Sequence, residues 1–153
     1  MSKTSAGILA YRYTSELQFF LIHPGGPFFA KKDLGAWSIP KGEIVLEEDP
    51  LSAAVREFQE ETGFLPVGEF NELGSIKQAS GKTVLAWAIE FDLDEKQLVS
   101  NTFSIEWPRE SGKLSIFPEV DKGDWFSEEE AKKKINSAQV FFIDGLISIL
   151  KIR

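Results

Sequence analysis

The sequence predicts a mixed α/β domain, and three observations carry that expectation. Two apolar, β-rich runs, residues 6–13 and 17–23, stand either side of a short polar turn, Thr14-Ser15-Glu16. A stretch from Pro50 to Thr62 places apolar residues at helical spacing. Residues 83–91, TVLAWAIEF, are nearly all apolar and read as a central, buried strand.

The N-terminal pair of runs reads as a hairpin. His23, the only histidine, ends the second run just before Pro24. It reads as a structural or surface residue, with a phosphate contact or proton carrier as the competing role. One histidine makes a histidine-based triad a poor reading. The loop PGGPFFAKKDLG follows, with Lys31 and Lys32. Glycines and lysines there can cradle phosphate, but no GxxxxGKS/T pattern is present, and a plain connection is the alternative.

Asp49 is the expected N-cap of the helix, Pro50 its first residue and Gly63 its stop. Leu51, Ala54, Val55, Phe58 and Thr62 form one apolar stripe at about 100° per residue. Residues 65–70 bring turn residues, and a short strand is expected near Leu73–Lys77. Trp87, inside the 83–91 strand, reads as core. Residues 92–112 are polar and less regular. Ser127 and Glu130 make a capping box for a helix running to about Ile135, and three lysines near its end suit the helix dipole. Residues 137–152 read as a helix whose apolar face, Phe141, Leu146, Ile149 and Leu150, covers one side of the sheet.

At 153 residues the chain is expected to form one domain, 1–153, burying roughly two thirds of its unfolded surface. An apolar content of 42% is that of an ordinary globule. The absence of cysteine excludes disulfides, thiolate metal sites and thiol nucleophiles. No apolar run is long enough for a secretory leader or a membrane span, so a cytoplasmic location and no membrane partner are expected. A net charge of −7 argues against nucleic acid as partner. It also requires that a polyanionic substrate be met by metal ions and a local basic patch. There is no internal repeat or linker, and nothing in the sequence speaks to oligomeric state.

The chemistry concentrates in residues 42–64, GEIVLEEDPLSAAVREFQEETGF. Glu57, Glu60 and Glu61 fall on one arc of the helix, beside the apolar stripe. Like charges so placed repel by roughly a few tenths of a kcal/mol per pair. Among them only Arg56 is basic, one turn before Glu60. A solvated acidic face is one reading. The other is a site for a hard divalent cation, since oxygen ligands without cysteine or histidine suit Mg²⁺ or Mn²⁺ rather than zinc.

The spacing bears on that choice. Gly42, five residues, Glu48, seven residues, then Arg56-Glu57-Phe58-Gln59-Glu60-Glu61-Thr62-Gly63-Phe64 resembles the signature of the Nudix hydrolases at every fixed position. The resemblance implies an α/β/α sandwich with a mixed β-sheet between helices. It implies Glu57, Glu60 and Glu61 as metal ligands, joined by the backbone carbonyl of Lys41. Glu48 and Arg56 would form a supporting pair, and Gly42 and Gly63 would permit the backbone turns at either end. The approach Trp37-Ser38-Ile39-Pro40-Lys41-Gly42 is similar to the W-x-x-PKG of members that cleave dinucleoside polyphosphates or diphosphoinositol phosphates. There Trp37 would stack on a base or fill core, and the Lys41 side chain would meet a phosphate. Glu106-Trp107-Pro108-Arg109 is similar to an EWP element of the dinucleoside-polyphosphate members, with Trp107 stacking on adenine and Arg109 meeting phosphate, or both serving only structure. Glu119, six residues before Trp125, matches a glutamate that supplies a further ligand or the general base.

The implied activity is Mg²⁺-dependent hydrolysis of a nucleoside diphosphate linked to another group, with Mn²⁺ substituting. The ions would neutralise the pyrophosphate and activate water, and Glu57 or Glu119 would take the proton. A dinucleoside polyphosphate such as diadenosine tetraphosphate is the favoured substrate. One feature opposes it: both tyrosines, Tyr11 and Tyr13, precede the box, and Gly123 stands where a stacking tyrosine is expected. Nucleoside triphosphates, ADP-ribose and RNA 5′ ends are the alternatives. A non-catalytic nucleotide sensor would be expected to lose box glutamates, and all are present. A structural calcium helix lacks its D-x-D-x-D-G loop.

Overall fold

The computed structural model describes residues 3–152. Strand β1 (Thr4–Tyr13) is the axis of a six-stranded mixed sheet. It pairs in parallel with β5 (Thr83–Glu90) from Thr4 to Tyr11. On its other side the partner changes part-way. At the Tyr11–Tyr13 end it forms the expected hairpin with β2 (Leu17–Pro24), and at the Ser5–Gly7 end it pairs with the short β3 (Lys41–Glu43). The sheet therefore splits, and residues 38–43 fill the wedge. Ser38 exchanges backbone hydrogen bonds with Ile22 on β2, while the Pro40 carbonyl accepts from the Ile8 N–H on β1. β4 (Asn71–Lys77) pairs with the outer side of β5, and a strand at Val120–Phe126 pairs with β2.

Helix α1 (Pro50–Thr62) covers one face of this sheet. Asp49 caps it by accepting from the Ser52 N–H, and Gly63 ends it at φ 82°, the left-handed conformation that glycine adopts without a Cβ penalty. Ala53, Ala54 and Phe58 are fully buried against Ala6, Ile8, Ala10 and Phe20. This differs from the expected stripe by about one residue: Ala53 is buried, whereas Leu51 and Val55 are only partly so. The small side chains at 53 and 54 let the helix lie close to the alanines of β1.

The opposite face carries Leu9, Tyr11, Phe19 and Leu21, alternating with the first set as a strand requires. A helix at Glu128–Lys134 and another at Val140–Ile152 cover it. Ser127 caps the first by accepting from the Glu130 N–H at 3.3 Å. In the second, Phe142, Ile143 and Leu146 are buried. Phe141, expected on the apolar face, is 54% exposed; the buried arc is rotated by one residue onto Phe142. Ile149 and Leu150 pack at its edge as expected. Each large side chain so buried contributes about 1.5–3 kcal/mol. The layers are thus helix, mixed sheet, helices, the sandwich that the box resemblance implied.

Residues 92–112 hold more order than expected. β6 (Thr102–Glu106) pairs with β7 (Leu114–Pro118) in a separate two-stranded sheet, and β8 (Val120–Phe126) follows at once. Phe103, Ile105 and Phe117 alternate with exposed positions. That period of two is visible in TFSIE and in LSIFP, inside a segment otherwise dominated by polar residues.

Candidate active site

The split of the sheet sets Lys41 and Gly42 over the C-terminal half of α1. The Lys41 N–H donates to Glu61 Oε1 at 3.1 Å. Gly42 has no positive φ, so the turn expected of it is not the reason for glycine there. A Cβ at that position would overlap the Glu57 carboxylate. The missing side chain is the space in which that carboxylate sits.

Arg56 holds the acidic cluster together. Its Nε and Nη2 lie 2.8 and 2.9 Å from the two oxygens of Glu48, a fork-to-fork pair. Nη1 donates to Glu57 Oε2 at 2.9 Å and to Glu60 Oε2 at 3.1 Å, and Nη2 also donates to the Glu43 carbonyl at 3.1 Å. The bond from Arg56 holds the Glu48 carboxyl below its usual range, and Glu48 in turn raises the guanidinium.

Glu119 lies between β7 and β8, and backbone bonds bring it to the same place. Its N–H donates to the Asn101 carbonyl, and the Asn101 N–H donates to the Glu60 carbonyl, both at 2.8 Å. Its own carbonyl accepts from the Gly25 N–H at 2.8 Å. The end of α1, the root of the β6–β7 hairpin and the loop after β2 are thereby stitched together around it.

The cluster carries more negative charge than its cations offset. Burial pushes Glu57 up to about 7, helped by the adjoining Glu60 carboxyl and opposed by Arg56. Burial pushes Glu61 up to about 8, against the pull of the Lys41 amide and ammonium. Glu119 is raised by burial and then by the charge of Glu60. Lys41 is lowered by burial; Glu61 opposes the shift and Lys82 adds to it. Lys82 was not singled out from the sequence, because no motif marks it. The turn at 78–81 brings it within electrostatic range of Lys41, its carbonyl accepting from the Gln78 N–H at 2.9 Å.

Other residues singled out from the sequence lie elsewhere. Trp37 is 4% exposed, set edge-on against Phe126, with its indole N–H bonded to Asp33 at 2.8 Å. Of its two readings, the ring takes the core position. His23 is buried, with Nδ1 2.9 Å from Asp121 Oδ1 and Nε2 2.6 Å from the Lys32 carbonyl, so it ties the loop after β2 to β8. Trp107 is half-buried and meets Phe28 edge-on at 5.4 Å, and the Arg109 guanidinium lies over the same Phe28 ring. These three form a cluster on the hairpin tip and the loop after β2. Trp87 is partly buried against the α1 side.

Among the described residues, no three His, Cys, Asp or Glu side chains stand in a ready-made metal-holding group. Arg56 draws Glu57 and Glu60 toward itself, and the Lys41 amide draws Glu61. The donor chemistry nevertheless fits a hard divalent cation. The donors are carboxylate oxygens with a backbone carbonyl nearby, and burial without a matching cation is what lifts Glu57, Glu61 and Glu119.

Comparison with solved structures finds the same architecture. The C. elegans Ap4A hydrolase in a binary complex aligns with a TM-score of 0.69 at 19% identity, over 97% of this chain and 99% of that one. The NUDIX domain of Shewanella oneidensis NrtR, complexed with ADP ribose, aligns with a TM-score of 0.67 at 14% identity, over 98% and 89%. The MutT protein of Methanosarcina mazei Go1 aligns with a TM-score of 0.60 at 18% identity, over 97% and 95%. At such identities the likeness is one of fold. A search of the curated proteins returned no match. A family model described as NUDIX domain matches residues 1–144, a span that takes in the split sheet, α1 and every carboxylate of the cluster. This chain belongs to the NUDIX domain family.

Proposed function

We propose that the protein hydrolyses a phosphoanhydride bond of a nucleoside diphosphate linked to a second group, and that its substrates are dinucleoside polyphosphates. One observation carries the reading: Glu48, Glu57, Glu60, Glu61 and Glu119 gather where, among the described residues, Arg56 is the only cation in hydrogen-bond contact with any of them. Such a cluster is unfavourable until a polycation enters, and a polyphosphate needs that same polycation to be attacked by water. Mg²⁺, or Mn²⁺ in its place, would be held by Glu57, Glu60, Glu61, Glu119 and the Lys41 carbonyl, supplying charge neutralisation and a more acidic water.

The chain's own residues do the rest. Arg56 aims Glu57 and Glu60, and Glu48 keeps Arg56 from turning away. The half-buried Lys41 side chain, within electrostatic range of Lys82, would face the negative charge of the phosphate chain. A carboxylate with a raised pKa takes the proton from water, and the two candidates are Glu57, pushed up to about 7, and Glu119, raised by burial and by the charge of Glu60. Trp107 and Arg109, beside Phe28, support the dinucleoside reading as a stacking ring and a cation at the rim.

The test is hydrolysis of a nucleotide panel with and without Mg²⁺, with products separated by chromatography. Dinucleoside polyphosphates should be cleaved only with the metal. Glu57→Gln should lower kcat by about 10²–10⁴ with the fold intact, and with Glu119 as the base Glu119→Gln should flatten the acid limb of the pH profile, where that carboxylate is protonated. Metal-independent turnover, or full activity of Glu57→Gln, would falsify the reading.

A further inference from the structure

His23, 1% exposed, has an oxygen against each of its ring nitrogens. Nδ1 lies 2.9 and 3.1 Å from the two carboxylate oxygens of Asp121, and Nε2 lies 2.6 Å from the Lys32 carbonyl. A carboxylate and a backbone carbonyl can only accept, while a neutral imidazole has one N–H to give. Either neutral tautomer therefore sets a nitrogen lone pair against an oxygen in a place without water. The imidazolium, with a proton on both nitrogens, satisfies both contacts. A carboxylate is a weaker base than imidazole, so the shared proton sits on the ring and not on Asp121.

The charged groups around the ring come from three elements. On β8, Asp121 touches it, and the Lys122 ammonium lies 5.6 Å from the centroid of Trp37, whose ring meets His23 at 5.2 Å. On the loop, the Lys32 ammonium lies over Phe29, and Asp33 accepts from the Trp37 indole. On the helix at Glu128–Lys134, Lys134 pairs with Asp33. Asp121 is thus the charge in direct contact with the ring, and its sign favours the imidazolium.

The Nε2 bond closes a loop that reaches the hairpin. Residues 24–32 leave the end of β2 and come back to it at the Lys32 carbonyl. Between those points the Gly25 N–H donates to the Glu119 carbonyl, and Gly26, at φ 94°, lies so near Phe103 that a Cβ would come within 2.8 Å of the ring. Phe28 meets Trp107 edge-on, with the Arg109 guanidinium over its face.

We infer that His23 is a positioning residue, and that the proton on its Nε2 clasps loop 24–32 so that Phe28 stays against Trp107 and Arg109. The charge-assisted bond to Asp121 holds the Nδ1 proton more firmly, so the proton lost to solvent as pH rises is the one on Nε2. The lone pair it leaves faces the Lys32 carbonyl, and the loop opens. The inference rests on the function proposed above only in treating Trp107 and Arg109 as the rim that meets substrate.

The experiment uses the full chain and its single imidazole, whose ring nitrogens are read by ¹⁵N NMR as pH is raised from about 5 until one loses its proton. Both nitrogens should be protonated at the start, and the amide resonances of Gly25 to Lys32 should shift with the same midpoint as the ring. Asp121→Asn is the control: its amide can donate to Nδ1, so a neutral ring keeps Nε2–H for Lys32 and the loop stays closed at every pH. Glu57 and Glu61 titrate in both proteins, so the comparison cancels them. With a dinucleoside polyphosphate as substrate, wild-type KM should match that of Asp121→Asn at acid pH and exceed it by about three- to tenfold once the ring is neutral. A ring with one proton while the loop amides hold their acid-form positions overturns the inference. So do a loop response that persists in Asp121→Asn and, where the substrate is cleaved, a KM ratio that stays at one. A protein that hydrolyses nothing but titrates ring and loop together loses only the function reading.

Discussion

Arg56 and Glu48, eight residues apart, meet fork to fork, with Nε 2.8 Å from one carboxylate oxygen and Nη2 2.9 Å from the other. The pairing occupies one edge of the guanidinium and leaves Nη1 for Glu57 and Glu60. Arg56→Lys keeps the charge but cannot hold three carboxylates in one plane. It should lower kcat/KM by about ten- to hundredfold with little change in melting temperature. Glu48→Gln should act in the same direction, and the double variant should be scarcely worse than either single one, because both remove one device. Steady-state kinetics on the four proteins checks this; additive losses would separate the two residues.

Gly42→Ala places a methyl group where the Glu57 carboxylate lies. The group displaced is the end of a flexible side chain, so the fold should lose no more than about 1 kcal/mol. The chemistry should suffer far more, since a displacement of about 1 Å at a reacting group costs on the order of a hundredfold. Paired melting and activity measurements should show a nearly native melt with kcat much reduced.

The raised carboxyls predict a pH-dependent stability of the metal-free protein. Glu61 titrates at about 8 in the folded chain and at its ordinary value, 4.5, when unfolded. Between those values the folded state binds more protons, so stability is fully present below the lower value and falls as pH rises through the upper. Glu57, raised to about 7, acts in the same direction. Melting in a chelator should show a decline from about pH 5 to pH 8 that Glu61→Gln makes shallower. Saturating Mg²⁺ should reverse the decline, because an ion bound only to the folded state stabilises it by mass action. A melting temperature independent of pH in chelator would contradict the electrostatic account.

Trp107 and Arg109 share the Phe28 ring on a hairpin outside the main sheet. If they meet substrate there, their loss removes binding that is equal in ground and transition states. Trp107→Ala and Arg109→Ala should each raise KM by about tenfold while kcat stays within about twofold. Unchanged KM in both would return the pair to a packing role.

Much of the site was legible before any fold was known. The caps at Asp49 and Gly63, the helical spacing of Ala54, Phe58 and Thr62, and the Glu48–Arg56 pair all act over short chain distances. Local periodicity and charge spacing therefore suffice to place them. The reason for Gly42 was not legible, because it concerns the position of a side chain fifteen residues on. Phe141 was read as core for a related cause: a helix of nearly uniform apolarity has no sharp phase, and packing against the sheet chose Phe142.

The sequence by itself determined a mixed α/β chain, a capped acidic helix and a box of carboxylates around one arginine, since these are set by residues within a few turns of one another. Only the tertiary structure decided that β1 changes partner half-way, that the resulting wedge seats Lys41 on Glu61, and that Glu119 arrives beside Glu60 by way of Asn101. It alone brought Gln139 Nε2 into hydrogen-bond contact with Gln78 Oε1 across 61 residues of chain. Hydrogen bonds of that span form when sheet and helices close on both cores, and nothing in the order of neighbouring residues encodes them.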